Sequence, residues 1–247
     1  MYSWKTIRIA CGILLVLPIV HLTYVMSRST METLDASPGA WVREMNAYAE
    51  QDAKGALPAH PILVVGGQRA KLWRGLEDVL APRPVLMRGL GDAIVEDIHF
   101  NHSRLIGYYQ PDTLVLVPSN SEFFIRDNKS AEELTRAIRN LAKLDDSYGV
   151  TRRFYIFTPL KTPVRPQDYA RIDKTTTLLN DWAAKNDRVE ILDANALLGG
   201  PDNKPRAYYF RGDGINLNEH GYLRLSLLLL DQIEADEASN LVNTTAP

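Results

Sequence analysis

From Pro61 onward, short β-branched runs alternate with stretches in which apolar residues recur at helical spacing. The run PILVVGG over 61–67 is closed by glycines and suits a buried strand. QRAKLWRGLEDVL over 68–80 follows, with Leu72, Leu76 and Val79 on one helical face. PVLMRG over 84–89 predicts a second strand, and residues 92–109 a helix that ends before Pro111. DTLVLVPS over 112–119 is the most apolar strand, as expected for the middle of a sheet. A helix over 130–144 opens with Ser130 three residues before Glu133, a capping-box spacing. RRFYIFTPL over 152–160 and VEILDA over 189–194 predict two more strands, separated by a helix over 167–185. A last helix is expected over 218–236. Ahead of this series, Trp41, Met45 and Tyr48 mark one face of a helix that stops at Gly55.

Strictly alternating strands and helices argue for an α/β domain with a five-stranded parallel sheet in a three-layer, doubly wound arrangement. In such folds ligands sit beyond the carboxyl ends of the strands. Those ends are Gly66-Gly67-Gln68, Arg88-Gly89-Leu90-Gly91 and Pro118-Ser119-Asn120-Ser121, and the loop Phe210 to Asn218 can reach the same rim.

The amino-terminal pattern is different. Between Arg8 and Arg28 no Asp, Glu, Lys or Arg occurs. A helix over 9–27 rises about 28 Å at ~1.5 Å per residue, close to the ~30 Å hydrocarbon core of a bilayer. The run is long for a cleaved signal peptide and ends in Tyr24-Val25-Met26 with only a poor cleavage site, so a transmembrane signal anchor is expected. Lys5 and Arg8 favour a cytoplasmic N-terminus, which places the remainder outside the cytoplasm, periplasmic or extracellular. The expected organisation is a cytoplasmic end over 1–8, an anchor over 9–27 and a polar stem over 28–39. The globular domain occupies 40–236, and a flexible tail 237–247. His21 and Pro18 within the anchor are read as neutral passengers of a kinked span.

Composition narrows the classes further. With 28 basic against 30 acidic side chains the formal charge is −2, which argues against general nucleic-acid binding. A single cysteine, Cys11, excludes an intramolecular disulfide framework and a thiolate zinc cluster.

The turns at the strand ends carry a family resemblance. VVGGQRAKLW, MRGLGDA, Ser119-Asn120-Ser121-Glu122 and FRGDGINLNEHGY occur in this order and resemble the signature blocks of the SGNH (GDSL-type) hydrolases. The resemblance covers about residues 40–236 and implies the SGNH-hydrolase-like fold with an ester-cleaving Ser-His-Asp site. It also implies an oxyanion hole to which the Gly89 amide contributes. Aligned on Leu72-Trp73, the nucleophile's place is held by Gln68; aligned on Asp213, the general base's place is held by Asn216. In the third block, column matching puts Ser121 at the family's asparagine position, and a one-residue shift puts Asn120 there.

These departures reach the chemistry. A carboxamide is a poor nucleophile, and an Asn side chain neither takes nor returns a proton near neutral pH. In a serine hydrolase triad, loss of the nucleophile or base costs about 10⁶ in rate. The sequence therefore points to a former active site, lined by Gln68, Gly89, Asn120, Ser121, Asp213 and Asn216, that binds rather than hydrolyses. By family analogy its ligand is an acylated glycan or lipid, or an envelope protein partner, and the bilayer itself is the partner of residues 9–27. No cofactor or metal is implied. Two alternatives stay open: an atypical esterase using Ser119 or Ser121 with Asp213, and a non-catalytic assembly part of an envelope complex.

Several other residues have plainer readings. Ser119 and Ser121 are expected to satisfy turn amides, and His220 to face solvent. His99, His102 and Glu96 suggest a metal set, but their spacing and the want of a third ligand argue against one. Arg211-Gly212-Asp213 belongs to the last block. The sequons at Asn101, Asn128 and Asn243 matter only in a glycosylating host. Arg136, Arg139 and Lys143 read as a solvated face, and Trp41 and Trp73 as core anchors.

Overall fold

The computed structural model describes residues 4–34, 38–124 and 126–245, which divide into two units, Met1–Ala40 and Trp41–Pro247. The first unit is a helix, α1 (Trp4–Leu34), with Pro18 inside it. Ile13, Leu14, Leu15, Val16 and Leu17 are all exposed on it. The expected span 9–27 includes residues 9–11 and 27, whose side chains lie outside the described set. Among the described residues no helix is long and apolar enough to cross a membrane. The stretch expected as a stem is helical as far as Leu34, and residues 35–37 lie outside the described residues.

The second unit opens with α2 (Val42–Asp52) and then alternates as the hydrophobic pattern predicts. The strands are β1 (Ile62–Gly66), β2 (Val85–Gly89), β3 (Thr113–Val117), β4 (Arg153–Phe157) and β5 (Val189–Leu192). They form one parallel sheet in the order β2-β1-β3-β4-β5. The register sets Gly66 beside both Gly89 and Val117, so β1 ends level with its two neighbours. After β2 the chain crosses to the other side of β1, which makes the ends of β1 and β3 the topological switch point where a crevice opens.

Helices cover both faces. α3 (Gln68–Leu72), α4 (Leu76–Leu80), α9 (Ala194–Leu198) and α10 (Glu219–Thr245) lie on one side. There Val64, Val115, Tyr155 and Phe157 form a cluster with Trp73, Leu76, Leu80, Leu225 and Leu229. Alternate strand residues such as Leu63, Leu114 and Phe154, all fully buried, point to the opposite face. That side is covered by α5 (Val95–Phe100), α6 (His102–Leu105), α7 (Ala131–Tyr148) and α8 (Tyr169–Ala183). α7 carries the expected capping box, with Glu133 N donating to Ser130 Oγ at 3.2 Å and Ser130 N to Glu133 Oε2 at 2.8 Å.

Three expectations need correcting. The helix expected over 68–80 is broken after Leu72, where Trp73 turns extended, and restarts as α4 behind Gly75, whose φ is +80°. The helix expected over 92–109 is divided at Asn101 into α5 and α6 and ends in a 3-10 turn at Gly107–Tyr109. Asn101 Nδ2 donates to Asp97 O at 2.9 Å, so this side chain closes α5 and is buried, unlike an acceptor for a glycan. Finally, α10 runs on to Thr245 through most of the tail expected over 237–247. Arg83 holds that extension, with Nε and Nη2 donating to the Glu237 carboxylate at 3.0 and 2.6 Å.

Candidate functional site

A cavity of about 210 Å³ lies at the switch point beyond β1 and β3. Gln68, Asn120, Ser121 and Asn216, expected there from the sequence, all line it. Arg69, Asp92, Ser119, Phe124 and Ile215 complete the wall. A larger hollow of about 370 Å³, lined by Glu96, His99, Lys129 and Arg136, lies on the α5–α7 side, away from the strand ends. It has none of the block residues, so position rather than size identifies the site.

Gln68 is the first residue of α3, immediately after the Gly66-Gly67 turn. Among the described residues its carboxamide has no hydrogen-bond partner. α3 is held by the far end of the chain: Tyr222 OH donates to Arg69 O at 3.1 Å, and Trp73 Nε1 to Ser226 Oγ at 3.0 Å. Trp73 also stacks on Tyr222 at 6.0 Å and meets Phe157 edge-on at 5.5 Å. Both expected tryptophan anchors are buried, Trp73 in this cluster and Trp41 against Gly91 and the Arg126 guanidinium.

The closing loop supplies Asn216. Asp213 Oδ1 accepts from the backbone N–H groups of Ile215 at 2.8 Å and Asn216 at 2.9 Å. Its Oδ2 accepts from Asn216 Nδ2 at 2.7 Å. Asp213 itself stands behind Asn216 and does not line the cavity. Slight burial would raise its carboxyl, but the donors from Ile215 and Asn216, with the Arg211 charge, hold it below its ordinary value. The pair reproduces with an amide the contact that an imidazole N–H makes to its orienting carboxylate in a triad.

In the third turn Ser119 satisfies a turn amide as expected, whereas Ser121 Oγ bonds side chains instead. Ser119 Oγ accepts from Ser121 N at 3.2 Å and donates to Ser121 Oγ at 3.1 Å. Ser121 Oγ also lies 3.4 Å from Asp92 Oδ1, a long contact. Behind this turn, Glu122 accepts from Val95 N at 2.8 Å and from Lys129 Nζ at 2.6 Å. Burial pushes the Glu122 carboxyl up to about 7, against the pull of Lys129.

Gly89 is placed differently from expectation. It sits inside the structure against α3, where an added Cβ would come within 2.2 Å of Lys71 N. Its carbonyl accepts from Tyr48 OH at 2.6 Å. The residue of this turn that reaches the cavity is Asp92, and a carboxylate there opposes a developing oxyanion instead of stabilising it.

Arg69 was not singled out by the sequence. Its side chain is buried, with Nη1 donating to Pro118 O at 3.3 Å and Nη2 to Asn120 Oδ1 at 3.2 Å. Burial lowers its pKa to about 10, partly offset by Tyr222, so it is charged at neutral pH.

Among the described residues no imidazole lines the cavity. His220 is exposed and stacked on Tyr208 at 5.0 Å. His102 is buried with Nε2 at 3.3 Å from Asp145 Oδ1, and Glu96 pairs with Lys129, so these two do not meet as ligands.

No family model and no curated sequence matches the chain. Solved structures do. A GDSL-like lipase from Bacteroides thetaiotaomicron is 16% identical with a TM-score of 0.64, covering 78% of this chain and 98% of its own. The lipase/acylhydrolase of Enterococcus faecalis is 16% identical at TM-score 0.58, covering 71% and 96%. A catalytic mutant of an acetylxylan esterase from Geobacillus stearothermophilus is 12% identical at TM-score 0.57, covering 72% and 96%. The Trp41–Pro247 unit thus has the fold of the SGNH (GDSL-type) hydrolases.

Proposed function

We propose that this protein is a non-hydrolytic member of the SGNH fold that binds its ligand in the place of an ester-cleaving site. The observation that carries this reading is the Asp213–Asn216 pair, in which the 2.7 Å bond seats an amide where a proton-accepting imidazole is required. Gln68 at the head of α3 and Asp92 on the cavity wall add to it, because a carboxamide stands at the nucleophile's place and a carboxylate faces the cavity. The ligand class is an acylated glycan or lipid, or a protein partner presenting a similar group. The reading includes an anchor over 9–27 with the N-terminus cytoplasmic and the domain periplasmic or extracellular. The exposed aliphatic side chains of α1 support that part.

Purified protein should not hydrolyse aryl acetates above a Gln68→Ala control. Turnover clearly above that control sinks the reading. A second reading, ester hydrolysis by Ser119 or Ser121, draws on the Ser121–Asp92 contact. It requires labelling of one of those serines by a fluorophosphonate, located by peptide mass spectrometry.

A further inference from the structure

Buried cations in this domain come with carboxylates. Arg88 meets Asp52 at 2.5 Å, Arg126 meets Asp97 at 3.0 Å, Lys129 meets Glu122 at 2.6 Å and Lys161 meets Asp173 at 2.7 Å. Arg69 is the exception among the described residues: it is 6% exposed, and its hydrogen bonds go to two neutral oxygens, Pro118 O and Asn120 Oδ1. A guanidinium carries five N–H donors, so this one keeps donors to spare. Beside it, Asn120 Nδ2 is buried and has no hydrogen-bond partner. A charge and a donor left open in the same wall are costly in an empty site and are repaid when an anion enters.

We propose that the cavity takes a hydroxylated carboxylate, of the kind found on an acidic sugar. The ligand's carboxylate accepts from Arg69 and Asn120 Nδ2, and one of its hydroxyls donates to Asp92. The assignment rests on the binding reading above and names the chemical class bound. Arg69 provides one positive charge, and Asp92 on the same cavity wall disfavours a second negative charge on the ligand. A monoanion therefore fits better than a phosphate dianion. Asp92 has one long contact, to Ser121 Oγ, and retains acceptor capacity for a hydroxyl. The cavity of about 210 Å³ is below the usual ~300–1,000 Å³ of drug-sized sites, which suits one sugar unit or the end of a chain.

The test uses the full chain in detergent, with thermal midpoint and calorimetric titration at constant ionic strength. Sodium glucuronate, sodium acetate and glucose are compared. Glucuronate should raise the midpoint saturably, acetate should bind roughly tenfold more weakly for want of the Asp92 contact, and glucose should do neither. Arg69→Gln should weaken glucuronate binding about tenfold or more. Because a buried change can also disturb folding, Asn120→Asp serves as the second variant. It sets a carboxylate where Oδ1 already lies 3.2 Å from Nη2, so the fold should gain stability while glucuronate binding is lost. The proposal is overturned if neither carboxylate binds, if glucose or acetate matches glucuronate, or if Asn120→Asp binds as the natural chain does. Glucose binding alone would leave the non-hydrolytic binding reading in place, whereas ester turnover would remove that reading independently of the titration.

Discussion

Installing a serine at residue 68 and a histidine at residue 216 gives a quantitative test of how the site is built. In Gln68→Ser/Asn216→His, the hydroxyl enters at the head of α3 and the imidazole enters the seat from which Asn216 Nδ2 reaches Asp213 at 2.7 Å. Nucleophile and base together are worth about 10⁶ in a complete triad. Here the Gly89 turn offers Asp92 to the cavity, and a missing oxyanion donor costs about 10²–10³. The expected gain is therefore about 10³–10⁴ in kcat/KM for an aryl acetate, or about 4–5.5 kcal/mol at ~1.4 kcal/mol per decade. The introduced imidazole must be neutral to act. An ordinary value of ~6.5, raised by neighbouring Asp213, makes the rate climb with pH through about neutrality and then level off. Each single variant should gain little, since neither group works alone. A folded double variant with no gain over the natural chain would refute the placement of Gln68 and Asn216 in the two seats.

Two further outcomes concern stability. Trp73→Ala should cost roughly 3–5 kcal/mol in denaturant unfolding, because it removes a buried ring packed on Phe157 and Tyr222 and leaves Ser226 without its donor; a loss below about 1 kcal/mol would mean α10 is held otherwise. Asp145 is buried, which alone would raise its carboxyl, but His102, Arg188 and Thr151 hold it below its ordinary value. That stabilisation is present in full above the ordinary carboxylate range and is lost as pH falls through the lowered value. Asp145→Asn should cost about 3 kcal/mol near neutral pH and flatten the fall in thermal midpoint between pH 5 and pH 3; an unchanged acid limb would contradict the assignment.

The five strands were legible because a parallel sheet covered on both faces demands short, uniformly apolar runs, and β1 is buried at every position. Helix breaks were not legible at Trp73 or Asn101, because apolar spacing continues across each. Gln68 and Asn216 could be placed because Leu72-Trp73 and Asp213 fix the register on either side, and both residues line the cavity. Gly89 was misplaced for a physical reason. Its glycine is required by the close approach of α3, and periodicity cannot distinguish a glycine kept for packing from one kept for its amide. Arg69 could not be singled out, since nothing in the sequence says which face of a five-residue helix is enclosed.

The clasp between α3 and α10 also sets a timetable for the growing chain. Arg69 and Trp73 are made early, while their partners Tyr222 and Ser226 lie 153 residues downstream. A ribosome must therefore deliver nearly the whole domain before the first helix of the pocket can be locked. Until then the half-built sheet has an uncovered apolar face, the kind of surface that aggregates during synthesis. A stop codon between residues 193 and 216 would yield a chain with all five strands but neither Asn216 nor the clasp.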